Sequence, residues 1–231
     1  MIVAAVMPTF NQQDFLAEAI DSVVSQVKLL VVVDDASTDR TSELLADRKD
    51  VCSLRHECNQ GAAIAINTGV REAIGRCSPD WLTWVSSDNV YYADWMRTLL
   101  DHAEADVGAV YSGFDAVPET KEMPRRHYVF KSYDPAWLGQ SINCYLGPNF
   151  IIRSDVWQDH RGLHSHDYDN WCLVEEACWS KGLRIVGVDK ALCRYRMHRG
   201  QATRNHAGRF DAPKWLQECK KRREALGIKP P

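Results

Sequence analysis

Over roughly the first half of the chain, short apolar runs alternate with longer stretches in which apolar positions recur every three or four residues. Residues 3–7 form a short apolar strand, broken as a loop by Pro8, Thr9, Phe10 and Asn11. Phe15, Leu16, Ala19, Ile20, Val23 and Val24 keep the helical period and predict a helix with one buried stripe. Residues 29–33 are continuously apolar, too short for a helix and suited to a strand covered on both faces; the run stops at Asp34 and Asp35. Capping side chains ahead of Leu44 and Leu45 predict a second helix, 51–55 a third strand, and Asn59 to Gly61 a turn into a small-residue-rich helix over 62–74. Residues 81–85 predict a fourth strand, which ends abruptly in Ser86, Ser87, Asp88 and Asn89. A helix carrying Met96, Leu99, Leu100 and Ala103 on one side and a strand over 107–112 complete the pattern.

Strand and helix in regular alternation predict an α/β fold with a doubly wound, mainly parallel sheet flanked by helices. Right-handed crossovers then bring the tips after Met7, Val33 and Val85 to one end of the sheet, where ligands bind in such folds. The second half is less regular. The charged, proline-bearing segment 118–126 reads as a surface excursion and the internal boundary, followed by a short helix over 134–141 and a turn at Gly147 and Pro148. A strand over 149–152, a helix from Ser154, a helix over 167–180 stopped by Lys181 and Gly182, strands over 183–188 and 192–195, and an exposed terminal helix over 211–226 follow.

Composition narrows the function classes. A chain of 231 residues, 45% apolar, suffices for one domain with a substantial core. A net charge of -3 gives no footprint for nucleic acid, although Lys220, Lys221, Arg222 and Arg223 form a basic cluster. No apolar run approaches the ~20 residues of a membrane span and the N-terminus lacks a signal pattern, so a soluble, intracellular protein is expected. Eight scattered cysteines with no CxxC pair fit free thiols in a reducing compartment.

The polar strand tips hold the candidate chemistry. Asp34 is open to two readings, a turn-holding carboxylate or a ligand contact; Asp35, one residue further out, can accept hydrogen bonds from a base or ribose. Phe10 offers a flat face for a base or is ordinary core. Asp88 can supply a hard oxygen ligand to Mg²⁺ or Mn²⁺ on a diphosphate, or cap the following segment. In GLHSHDYDNW, His164, His166, Asp167 and Asp169 could suggest a metal hydrolase, but Asp167 at the mouth of a helix suits a general base better, with a helix cap as the plain alternative. His198 follows a strand and can ligate metal or contact diphosphate, with Arg194, Arg196 and Arg199 suited to phosphate oxygens.

Taken together, VMPTFNQQDFLAEAIDSVVSQ, VVVDDASTDRT, NQGAAIAINTG, WVSSDNVYYADW, GPNFIIRSDVW, HDYDNW and CRYRMH resemble, in order and spacing, the family 2 glycosyltransferases of GT-A fold, over roughly residues 2–198. The resemblance implies a Rossmann-like GT-A sheet with a small antiparallel extension on the acceptor side, and a metal-dependent, inverting transfer of sugar from a nucleotide-diphosphate donor. It implies nucleotide contacts at Pro8, Thr9, Phe10, Asp35 and Ser87, metal ligation by Asp88 and His198, a donor/acceptor loop at Gly147, and Asp167 as catalytic base. Three positions depart from the family: Ser87 replaces the first carboxylate of the metal motif, His166 stands where Glu is common, and Leu173 where Arg is frequent.

The expectation is therefore a single GT-A catalytic domain over 1–231, with a donor half at 1–115, an acceptor and catalytic half at 116–205 and a C-terminal helix at 206–231. The donor is expected to be UDP-linked, the cofactor Mn²⁺ or Mg²⁺, and the acceptor a glycan or lipid-linked saccharide met in the cytoplasm or at a membrane surface, with oligomers open. Trp137, Tyr133 and Tyr145 are candidate sugar-stacking faces. A nucleotidyltransferase, which would need a Gly-rich basic loop that PTFNQQD does not supply, and a non-catalytic nucleotide-sugar-binding module are the alternatives.

Overall fold

A computed structural model describes residues 1–118, 125–128, 149–159 and 167–198, with parts of 217–229. The four early strands form as the apolar runs require: β1 (Val3–Thr9), β2 (Leu29–Asp34), β3 (Cys52–Arg55) and β4 (Trp81–Trp84) pair in parallel in the order β3-β2-β1-β4. Their runs are continuously apolar because both faces are covered. Val3, Ala5 and Met7 of β1 pack toward helices α1 (Leu16–Val24) and α4 (Trp95–Leu100), while Ala4 and Val6 pack toward α3 (Ala62–Cys77) on the other side. The small residues of α3 have a purpose in this packing: a Cβ placed on Gly69 would lie 2.3 Å from Val6 Cγ1, so the helix sits closer to β1 than any larger residue allows.

The sheet continues through strands from the second half. β8 (Phe150–Arg153) runs antiparallel to both β4 and β6 (Val107–Pro118), and β9 (Arg184–Met197) runs parallel to β6. β5 (Val90–Tyr91) pairs antiparallel with β9, and β7 (Arg126–Tyr128) with β6, as an antiparallel extension. Being antiparallel to two neighbours, β8 leaves β6 parallel to β4. The carboxyl ends of β1, β2, β4, β6 and β9 therefore all reach one end of the sheet. Helix α2 (Thr41–Ala46) links β2 to β3, and α5 (Ser154–Asp159) and α6 (Asp167–Ser180) cover the α3 face beyond it. The stop after α6 is a Schellman motif: Gly182 has φ +66°, with Leu183 N–H bonded to Cys178 O at 2.9 Å and Gly182 N–H to Trp179 O at 3.0 Å.

Three boundaries differ from the sequence pattern, each for a physical reason. β1 runs through Pro8 and Thr9 instead of breaking there. Thr9 bonds toward β2, with Asp35 N–H on its carbonyl at 2.9 Å, so Pro8 faces the β4 side, where β4 has already ended and no ladder donor is missed. β6 continues to Pro118, and β9 is one strand rather than two. Ser112 pairs with Val188 and Gly113 with Ala191, so exposed Asp189 and Lys190 form a bulge where their polarity suggests a turn. The expected helix over 134–141 and Gly147 lie outside the described residues, as do Tyr133, Trp137 and Tyr145. Among the described residues Cys52, Cys58, Cys77, Cys178 and Cys193 are free thiols, and no helix is long and apolar enough to cross a membrane.

Candidate active site

The polar tips of β1, β2 and β4 meet at the shared end of the sheet, joined by His198 from β9. At the tip of β1, Thr9 is buried with no hydrogen-bond partner for its Oγ1 among the described residues, and Phe10 is 42% exposed. Asn11 takes a left-handed φ of 53° and ties this loop to the next: its N–H donates to Ser37 Oγ at 2.9 Å and its Oδ1 accepts the Thr38 N–H at 2.8 Å. A buried threonine hydroxyl lacking a partner beside an exposed aromatic face suits the polar edge and flat face of a bound base.

The two carboxylates after β2 have separate work. Asp34 holds the turn: it accepts the Ser37 N–H at 2.9 Å and pairs with Arg55, whose other nitrogen reaches Ser37 O at 2.9 Å. Asp35, only 3% exposed, is turned toward the start of α3, accepting Gly61 N–H at 2.7 Å, Gln60 N–H at 2.9 and 3.1 Å, and His56 Nδ1 at 2.7 Å. Since an ionised carboxylate only accepts, Nδ1 of His56 carries the proton, and Nε2 meets Thr68 Oγ1 at 3.1 Å. Asp35 thus anchors the loop that enters α3, bonding the amides just ahead of the helix rather than those of its first turn. Its nearest contacts are this chain's own amides.

The SSDN turn after β4 is fixed from several directions. Tyr91 receives the Ser86 N–H on its hydroxyl at 3.2 Å; burial pushes its phenol well up, so it stays neutral. Asn89 is fully buried and accepts the Arg196 N–H at 3.1 Å, while Arg196 Nη1 donates to the Asp88 carbonyl at 3.0 Å. Ser87 is buried in the same turn. Asp88 Oδ2 stands 3.0 Å from His198 Nε2, across 110 residues of chain.

The two side chains are hydrogen-bonded to each other at that distance, and the same separation also fits a shared cation. Donor atoms on adjacent corners of an octahedron with bonds of about 2.1 Å stand about 3.0 Å apart. Among the described residues there is no group of three or more His, Cys, Asp or Glu that could hold a metal, so oxygen atoms of ligand and water would have to complete the shell. Sequence reasoning therefore named a pair that the fold brings together, and Thr9 and Phe10 at the same end. Asp167 is the first residue of α6, with its side chain outside what is described.

Three residues were missed: His56, Asn89 and Glu18. His56 carried no signal beyond its place after β3, and Glu18 looked like one more polar residue on the outer face of α1. Of the arginines suited to phosphate, Arg194 and Arg196 both pair with Glu18, and Arg199 lies outside the described residues.

Comparison with known proteins identifies the family and the fold. The family model described as glycosyl transferase family 2 matches residues 4–161. An uncharacterized glycosyltransferase of Rickettsia prowazekii is 25% identical over 222 residues, covering 87% of this chain and 66% of its own; the chain thus spans a little under two thirds of that relative. Among solved structures, S. aureus TarS 1-349 in complex with UDP-GlcNAc superposes with a TM-score of 0.64 at 18% identity, over 87% of this chain and 60% of that one. The mannosyltransferase PcManGT of Pyrobaculum calidifontis, in complex with GDP-Man and Mn²⁺, gives 0.62 at 16% identity, over 86% and 57%. Both likenesses are of fold.

Proposed function

Because the chain belongs to glycosyl transferase family 2, we propose that it transfers a sugar from a nucleotide-diphosphate donor, uridine-linked, to a hydroxyl of a glycan or lipid-linked saccharide, with inversion at the sugar carbon. The observation that carries the reading is the Asp88–His198 pair, 3.0 Å apart at the end of the sheet where the strand tips meet.

Phe10 stacks on the base and Thr9 Oγ1 bonds its polar edge, beside Pro8. Asp35 contributes to that edge by exchanging the amide of Gln60 that both its oxygens share. Ser87 lies alongside the diphosphate without ligating. Asp88 and His198 would hold one divalent cation, Mn²⁺ or Mg²⁺, which when bound neutralises charge on the departing diphosphate. Asp167 takes the proton from the acceptor hydroxyl as its oxygen attacks the sugar carbon, and the Gly147 loop borders donor and acceptor. In domain terms 1–231 is one catalytic unit, with the donor half ending near 115 and the acceptor side drawn from later strands, working on the cytoplasmic side.

Calorimetry with UDP and GDP, with and without Mn²⁺, followed by donor turnover across UDP- and GDP-sugars, tests this. Metal-stimulated UDP binding lost in Asp88→Ala, with turnover lost in Asp167→Asn while donor binding persists, is the expected result. Full turnover in Asp167→Asn would remove the base assignment. Binding without consumption of any donor, acceptors supplied, would favour a binding module.

A further inference from the structure

The alternation of β9 puts Arg194 and Arg196 on one face of the strand, His198 follows just past its end to line the same pocket, and the start of α1 lies across them. Glu18, in the first turn of α1, accepts from both Arg194 and Arg196. Partial burial pushes the Glu18 carboxyl up, but the Arg196 and Arg194 guanidiniums hold it below the usual carboxylate range, so it is charged at neutral pH. Arg196 in turn donates from Nη1 to the Asp88 carbonyl at 3.0 Å and from its backbone to Asn89 Oδ1 at 3.1 Å, so both residues at the tip of the turn hang on it. Phe15 packs between the two functional parts, with the Arg196 guanidinium 5.0 Å over its ring and the His198 ring 4.7 Å away. Phe15, Glu18, Arg194, Arg196 and His198, with Val117 and Pro118, line an open pocket of about 320 Å³.

We propose that Glu18 and Arg196 are positioning residues for the cation of the Asp88–His198 pair: Glu18 orients the Arg196 guanidinium, and Arg196 fixes the backbone that carries the Asp88 carboxylate. This rests on the metal reading given above. Groups that orient metal ligands without touching the metal typically govern affinity by about 10–100-fold. Here the sign is informative. A guanidinium beside a cation site repels the cation, so if Arg196 acted only as a charge, its removal would tighten metal binding. If it positions Asp88, removal loosens binding. Glu18 has the opposite charge and the same positioning role, so its neutralisation loosens binding on either account; Arg196 is the residue that separates them.

The experiment is Mn²⁺ titration of the full chain in the presence of UDP, followed by the electron paramagnetic resonance of free Mn²⁺, for the wild type, Glu18→Gln, Arg196→Met and the double variant. Each is read well below its own unfolding midpoint, so that a change in global stability does not enter. The expected result is a dissociation constant raised about tenfold in each single variant, with the double variant no worse than the poorer single, as for groups acting in one chain. Arg196→Lys, which keeps the charge and loses the fork, is expected to fall between Arg196→Met and wild type. Unchanged or tighter Mn²⁺ binding in Arg196→Met overturns the proposal, as does unchanged binding in Glu18→Gln. Failure of the wild type itself to bind Mn²⁺ with UDP would refute the metal reading first, and this one with it.

Discussion

Replacing Asp35 by alanine is expected to cost the protein stability before any nucleotide is added. The carboxylate accepts Gly61 N–H at 2.7 Å, shares the Gln60 N–H between its oxygens at 2.9 and 3.1 Å, and takes His56 Nδ1 at 2.7 Å. Alanine removes all of these. Loss of the acceptor that the Gln60 and Gly61 amides share costs about 0.5–2 kcal/mol. Loss of the negative charge near the first turn adds about 0.3–1 kcal/mol. His56, half-buried, loses a partner that water replaces only in part, worth about 1 kcal/mol. The sum is about 2–4 kcal/mol, which for a chain of this size lowers the melting temperature by about 5–15 °C. Differential scanning calorimetry on nucleotide-free protein reads this directly, and Asp35→Asn should fall between, because its amide keeps one acceptor while its NH₂ faces backbone donors. A melting temperature within about 2 °C of wild type for Asp35→Ala would refute this anchoring role, since even the lower end of the sum moves it by at least about 4 °C. Nucleotide binding cannot substitute as the readout, because loss of either a loop anchor or a base contact would weaken it.

Three further outcomes follow from particular contacts. Gly69→Ala should destabilise by about 1–2 kcal/mol in urea denaturation, because overpacking against Val6 outweighs the helix propensity gained; a stabilised variant would mean that α3 can lift off β1. Ala36 holds φ +64° after Asp35, a left-handed conformation with a Cβ, so Ala36→Gly should stabilise by about 0.5–1 kcal/mol and Ala36→Val should destabilise, read by the same denaturation midpoints. Tyr92 is pushed up to about 12 by burial first and then by Asp115, which accepts its hydroxyl at 2.6 Å. A raised folded value means that its contribution is whole below the ordinary phenol value of about 10 and is lost as pH climbs toward the folded one, so the stability gap between wild type and Tyr92→Phe should narrow by about 1 kcal/mol between pH 8 and pH 11. A gap that stays constant over that range would show that the hydrogen bond does not govern the titration.

The first half of the fold was legible because its signals are local. Continuous runs such as 29–33 and the helical spacing from Phe15 to Val24 leave little choice of element, and the parallel order then fixes which strand ends share a side. What was not legible depends on neighbours the sequence does not name. Pro8 lies within a strand only because β4 stops beside it, and Asp189 and Lys190 lie within β9 only because β6 is long enough to hold both sides of a bulge. The meeting of Asp88 with His198 needs β8 to enter the sheet antiparallel between β4 and β6, a pairing invisible from residues 150–153 alone. Glu18 escaped notice for the same reason: its partners lie more than 170 residues further along the chain.

The substitution at Ser87 gives these long-range contacts their weight. A site with two adjacent carboxylates can lose some order in one and keep a ligand in the other. Here the turn offers Asp88, and its direction is set by what grips the backbone on either side. Tyr91 holds the Ser86 amide at 3.2 Å, Arg196 holds the Asp88 carbonyl at 3.0 Å, and the Arg196 amide holds Asn89 at 3.1 Å. Two of those three grips come from β9, the strand that also delivers His198. One strand therefore leads into His198 and orients Asp88, so a shift of β9 relative to β4 moves the two together and preserves the 3.0 Å contact on which the proposed cation site rests. Restoring a carboxylate at position 87 would not simply add a ligand, because Ser87 is 6% exposed and a charge there must be desolvated whenever the cation is absent.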